Sequence, residues 1–98
     1  MEGKWKLTIH TYMGDMGSVA DYKVDGNVLT GTVEDSSNGA VAQVDNGKFE
    51  NGEFSYSVTI KTAVGEMTNE LQGKLEGDKL VGKSKNAMGE FDFDGERI

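Results

Sequence analysis

The chain has 98 residues, no cysteine, no proline, fourteen glycines and a net charge of -7 at neutral pH. One domain, residues 1–98, is expected, and folding at this size buries roughly 60–70% of the unfolded surface. Disulfides and thiolate metal sites are excluded without cysteine. No apolar run approaches a membrane span, and the acidic balance repels the phosphate backbones of nucleic acid. In chain order, strand one covers about residues 4–12. Trp5, Leu7, Ile9 and Thr11 share one face, and Lys4, Lys6, Thr8 and His10 the other. This period-two alternation marks a sheet with one dry face. A loop follows at 13–17. Strand two, about 18–24, turns Ala20, Tyr22 and Val24 inward and Val19, Asp21 and Lys23 outward. The Asp25-Gly26-Asn27 turn leads to strand three, with Leu29, Gly31 and Val33 inward.

After a loop at 35–39, strand four spans about 40–50. Asp45-Asn46-Gly47 in its middle reads as a bulge or bend, or else as a true turn that yields an extra short strand. The turn at 50–52 opens strand five, about 53–62, with Phe54, Tyr56, Val58 and Ile60 inward. Strand six carries Leu71, Gly73 and Leu75 inward, strand seven Leu80, Gly82 and Ser84, and strand eight, about 90–97, Phe91, Phe93 and Gly95. No stretch has helical periodicity.

Residues 5–11 align without a gap on 56–62, 14–16 on 65–67, and the hairpin 24–31 on 75–82. The chain therefore reads as a 4+4 internal repeat. An all-β, eight-stranded antiparallel up-and-down barrel follows, with a two-sheet sandwich as competitor. The charges favour closure. A hairpin across 86–89 sets Lys85 opposite Glu90, Lys83 opposite Asp92 and Lys79 opposite Glu96. The acidic row Glu90, Asp92, Asp94 and Glu96 then lies between those lysines and Lys4, Lys6 and His10 of strand one. Cross-strand opposite charges contribute only about 0.2–1 kcal/mol each, yet they select register. Barrel parity places the tight turns at 25–27, 50–52 and 76–78 at one end. The loops at 13–17, 35–39, 63–66 and 86–89 fall at the other and are read as longer. They bring Met13, Met16, Met67 and Met88 to one rim.

Catalytic candidates are few. His10 is the one histidine, outward and near Glu90; alone it builds no ordinary transition-metal site, and it reads as a solvated strand residue with an acidic neighbour. Asp92-Phe93-Asp94-Gly95-Glu96 lacks the downstream bidentate Glu of a calcium loop and falls on a strand. The other acids lie outward or in turns, where nothing raises a pKa for acid catalysis. No catalytic residue, metal or cofactor is therefore assigned. The Met rim is the most suggestive feature, because Met adapts to varied apolar shapes. Its side chains either plug the barrel mouth as core or contact a ligand. The inward glycines 31, 73 and 82 either leave space or allow tight coiling against Trp5, Tyr22 and Tyr56.

Gly3-Lys4-Trp5 and Arg97 resemble the calycin signature of lipocalins and avidins. That resemblance implies that Trp5 closes the barrel base and Arg97 packs across it in a cation–π contact. Gly3-Lys4-Trp5, the hairpins 25–31 and 76–82, Met13-Gly14, Met88-Gly89 and Gly95-Glu96-Arg97 are also similar to a set of small bacterial all-β domains. Those domains often accompany larger enzymes and have no assigned activity of their own.

The expectation is a non-catalytic barrel. It binds a small apolar ligand through Thr11, Met13, Met16, Met67, Met88 and Phe91, or serves a larger enzyme as an accessory domain. Without a charged-then-apolar leader, it is expected to be cytoplasmic, with neither nucleic acid nor membrane as partner. One alternative is a small enzyme using Tyr12, Tyr22, Tyr56 or His10 as acid–base groups. The other is a structural interaction module using the outward Val19, Val28 and Val81.

Overall fold

The computed structural model describes residues 2–12, 14–36, 39–62, 65–86 and 89–98; the side chains of 60–62, and with them the inward placement expected for Ile60, lie outside that description. Among the described residues the alternating segments form nine strands. They are β1 (Gly3–Thr11), β2 (Gly14–Asp25), β3 (Val28–Asp35), β4 (Val41–Gln43), β5 (Asp45–Glu50), β6 (Glu53–Thr62), β7 (Gly65–Glu76), β8 (Lys79–Asn86) and β9 (Gly89–Arg97). Every pairing is antiparallel, and β1 pairs with β9 as well as with β2. β4 and β5 both pair with β3, so they are two pieces of one wall position. The result is a closed, eight-stranded up-and-down barrel of 36 × 22 × 22 Å.

The interruption has a local cause. Val44, between β4 and β5, is buried and donates its N–H to the Gly31 carbonyl at 2.9 Å. Asn46 takes a positive φ of 53°, and the register slips between Asp45↔Ser57 and Lys48↔Ser55. The Asn-Gly step is thus a bulge that bends the strand.

Closure follows the charge pattern. β9 is matched on one side by Lys79↔Glu96, Lys83↔Asp92 and Lys85↔Glu90, and on the other by Lys6↔Glu96 and His10↔Asp92. The Lys83 ammonium lies 3.2 Å from Asp92 and 3.5 Å from Glu90. Those two carboxylates, Asp92 first, hold its pKa above the usual lysine value. Solvent screens exposed pairs of this kind, so their main effect is on which strands meet and in what register.

Trp5, Leu7, Tyr22, Leu29 and Leu80 are almost fully buried and fill the interior with Tyr56, Leu71 and Phe93. The inward glycines leave no hollow. A Cβ on Gly31, Gly73 or Gly82 would stand 1.9, 2.2 and 2.1 Å from the carbonyl oxygens of Asp21, Val81 and Gln72. They permit close strand approach. Gly73 and Gly82 are paired neighbours, flanked in register by Phe54 and Phe93, whose rings meet at 6.0 Å and 68°.

The rim connections differ from expectation. β2 begins at Gly14, β7 at Gly65 and β9 at Gly89, so the connections after β1, β6 and β8 are as short as the turns at the other end. A glycine at positive φ opens each of these strands, and the ladder resumes at once with Thr11↔Gly14, Thr62↔Gly65 and Asn86↔Gly89. Residues 14–17 therefore belong to a strand, and only the connection between β3 and β4 is longer.

Candidate ligand-binding end of the barrel

Strand register decides what faces inward at the rim. Ile9 pairs with Met16 on one side and Phe93 on the other, so Met16 shares the inner face with these two. Met16 is nevertheless 50% exposed, because it stands near the end of the β1–β2 hairpin. Met67 pairs with Ile60 and is half-buried, and Phe91 pairs with Ser84 and is half-buried. Thr11, also half-buried, donates its hydroxyl to the Gly14 carbonyl at 2.6 Å. Met13 and Met88 lie outside the described residues. Tyr12, considered above only as an acid–base group, packs its ring on Phe91 at 6.0 Å and 40° while remaining 74% exposed. Its place beside the β1–β2 turn was the signal that it belongs to the rim.

At the opposite end, Trp5 is fully buried and the Arg97 guanidinium carbon stands 4.4 Å from its ring centroid. Arg97 also donates from Nη1 to the Glu2 carbonyl at 2.7 Å and from Nε to Asp78 at 3.4 Å.

The tyrosines inside the barrel are poorly placed for acid–base chemistry. Tyr22 and Tyr56 share a hydroxyl–hydroxyl hydrogen bond of 2.5 Å, their rings 5.5 Å apart at 64°. Burial pushes both phenols above the ordinary tyrosine pKa, so both stay protonated at neutral pH. His10 lies outward as expected, but its neighbour is not Glu90, which pairs with Lys85. Its Nδ1 meets Asp15 at 3.0 Å and its Nε2 meets Asp94 at 2.7 Å. Asp94 sits opposite Thr8, one step diagonally along β9, so strand twist rather than sequence spacing brings it to the ring. Among the described residues, no group of three or more His, Asp or Glu side chains could hold a metal ion.

Two depressions lie on the outer wall. One, of about 530 Å³, is lined by Lys48, Ser55, Gln72, Lys74 and Lys83, and the other, of about 360 Å³, by Ser57, Glu70, Lys85 and Glu90 among others. Neither is lined by Thr11, Met16, Met67 or Phe91. No protein-family model matches the chain, and no curated protein matches it.

Proposed function

We propose that this barrel is a non-catalytic binding protein that takes a small apolar ligand at its Met-bearing end, alone or as an accessory domain of a larger enzyme. In this reading it belongs with the small calycin-like barrels whose motifs it resembles, and Trp5 and Arg97 close its base. The observation that carries the reading is the gathering of Tyr12, Met16, Met67 and Phe91, exposed or half-buried, at the end opposite the Trp5–Arg97 contact. The interior below is filled, so the ligand lies on the rim side chains rather than deep in the barrel. Flexible thioethers repack around varied shapes, which gives broad selectivity and affinity on the order of micromolar, about 8 kcal/mol. The enzymatic alternative is disfavoured, because the buried tyrosines are bonded to each other and held protonated.

The test is an NMR titration with a panel of neutral hydrophobic small molecules. Shifts should cluster at Thr11, Met16, Met67 and Phe91, and Met16→Ala and Met67→Ala should weaken binding severalfold without moving the denaturation midpoint. Shifts scattered over the barrel, or a loss of stability with no ligand response, would show that these side chains only plug the mouth.

A further inference from the structure

The contacts of His10 do more than neutralise a surface acid. Both ring nitrogens face carboxylate oxygens, Nδ1 toward Asp15 on β2 and Nε2 toward Asp94 on β9. A neutral imidazole carries one N–H and one lone pair, so it can donate to only one of these acids and must turn its lone pair toward the other. Only the imidazolium donates to both. The surrounding charge points the same way. Asp92 sits directly opposite His10 on β9 and is engaged by Lys83 of β8, which also contacts Glu90. Asp15 and Asp94 have His10 as the cation between them. The two carboxylates lie on opposite sides of the ring and do not converge on a point, so the arrangement is a bridge between strands and not a metal site.

The bridge sits at the rim. Asp15 pairs with His10, and Met16, the next residue on β2, faces the barrel mouth beside Ile9. We propose that protonated His10 is a pH-set clasp that ties β9, β1 and the first residues of β2 together, and that loss of its proton frees Asp15 and shifts Met16. The Asp94 contact is the shorter and spans strands far apart in sequence; the Asp15 contact, at 3.0 Å and within one hairpin, is the one released. Hydrogen bonds to Asp94 and then Asp15 raise the His10 pKa above 6.5. Sign follows from that direction. The clasp is closed well below the folded-state pKa and opens as pH rises through that value, which lies above 6.5; the stability it contributes fades over the same rise.

The clasp itself needs no ligand. Its consequence for ligand affinity rests on the binding reading above, and the following experiment separates the two. The intact protein is followed by NMR from acid to mildly alkaline pH. The His10 ring should titrate above 6.5. Asp94→Asn and Asp15→Asn should each lower that midpoint. The Asp15 amide and the Met16 methyl should shift with the same midpoint, and His10→Gln should abolish both shifts while leaving the fold intact. A His10 midpoint at or below 6.5, or a Met16 methyl that ignores it, would overturn the clasp. A clasp that behaves as stated beside a failed hydrophobic panel would remove the binding reading alone.

Discussion

Three of the rim connections are as short as the base turns, and yet the two ends of this barrel differ in kind. At the base, four ladders run one bond past their last paired residues. The carbonyls of Asn27, Gly52 and Asp78, all turn residues, accept the N–H groups of Phe49, Leu75 and Arg97 at 3.0, 2.7 and 3.1 Å. Lys4 does the same for Ile98 at 3.1 Å. Arg97 then stitches Trp5, Glu2 and Asp78 together with one side chain. At the rim the β2–β3 ladder also runs one bond on, from the Ser36 N–H to the Gly17 carbonyl at 3.1 Å, and side-chain contacts join it: Thr11 on Gly14, Tyr12 on Phe91, and His10 between Asp15 and Asp94. The lesson is that loop length does not set the difference between the ends. The side chains do, with a buried indole under a guanidinium at one end and half-exposed thioethers and rings at the other.

The sharpest way to break this comparison is at the base. Trp5→Ala should cost about 3–5 kcal/mol, the usual loss for a fully buried large aromatic. That is a large share of the roughly 5–15 kcal/mol that holds a domain folded. Chemical denaturation should show the midpoint collapse. An unchanged midpoint would mean that Trp5 is not core. Next comes Gly82→Ala in the wall, where the added methyl would fall 2.1 Å from the Gln72 carbonyl oxygen. Backbone shifts of that sort cost about 1–3 kcal/mol. Thermal unfolding should separate Gly82→Ala from Gly77→Ser, which meets nothing within 4 Å and tests only its positive φ of 63°.

Arg97→Met keeps the stem over the indole but removes the cation and its bonds to the Glu2 carbonyl and Asp78, so it should lose about 1–2 kcal/mol, a cation–π contact plus a hydrogen bond. At the rim the effect should be smaller still. Met16→Ala, at a half-exposed position, should change stability by no more than about 0.5 kcal/mol. Last is pH. Because the His10 pKa is raised in the fold, its small contribution is present below 6.5 and fades as pH rises through the folded-state value. Denaturation midpoints of the native protein and His10→Gln should therefore differ at acid pH and converge at alkaline pH.

Much of the fold was legible because it rests on local pattern. The alternation of Trp5, Leu7 and Ile9 against Lys4, Lys6 and Thr8 placed β1. The opposite charges of β8 and β9 named their pairs residue by residue, because register follows a period of two. Asn46-Gly47 marked the bulge. The rim was harder to read. Gly14, Gly65 and Gly89 look like loop residues in composition, yet each opens a strand, so Met16 reads as a loop residue in the sequence while it stands on β2. The partners of His10 were missed because a diagonal contact depends on twist. The Tyr22–Tyr56 bond was missed because residues meeting across a barrel are set by its shear, which no single strand encodes.

The most direct measurement is to saturate the protein with a neutral apolar probe, N-phenyl-1-naphthylamine, and record intermolecular NOEs. Contacts from the probe to the Met16 and Met67 methyls and the Phe91 ring, with none to Trp5, are the predicted result. NOEs to Gln72 and Lys83 of the outer wall, or to the Trp5–Arg97 end, would contradict the account.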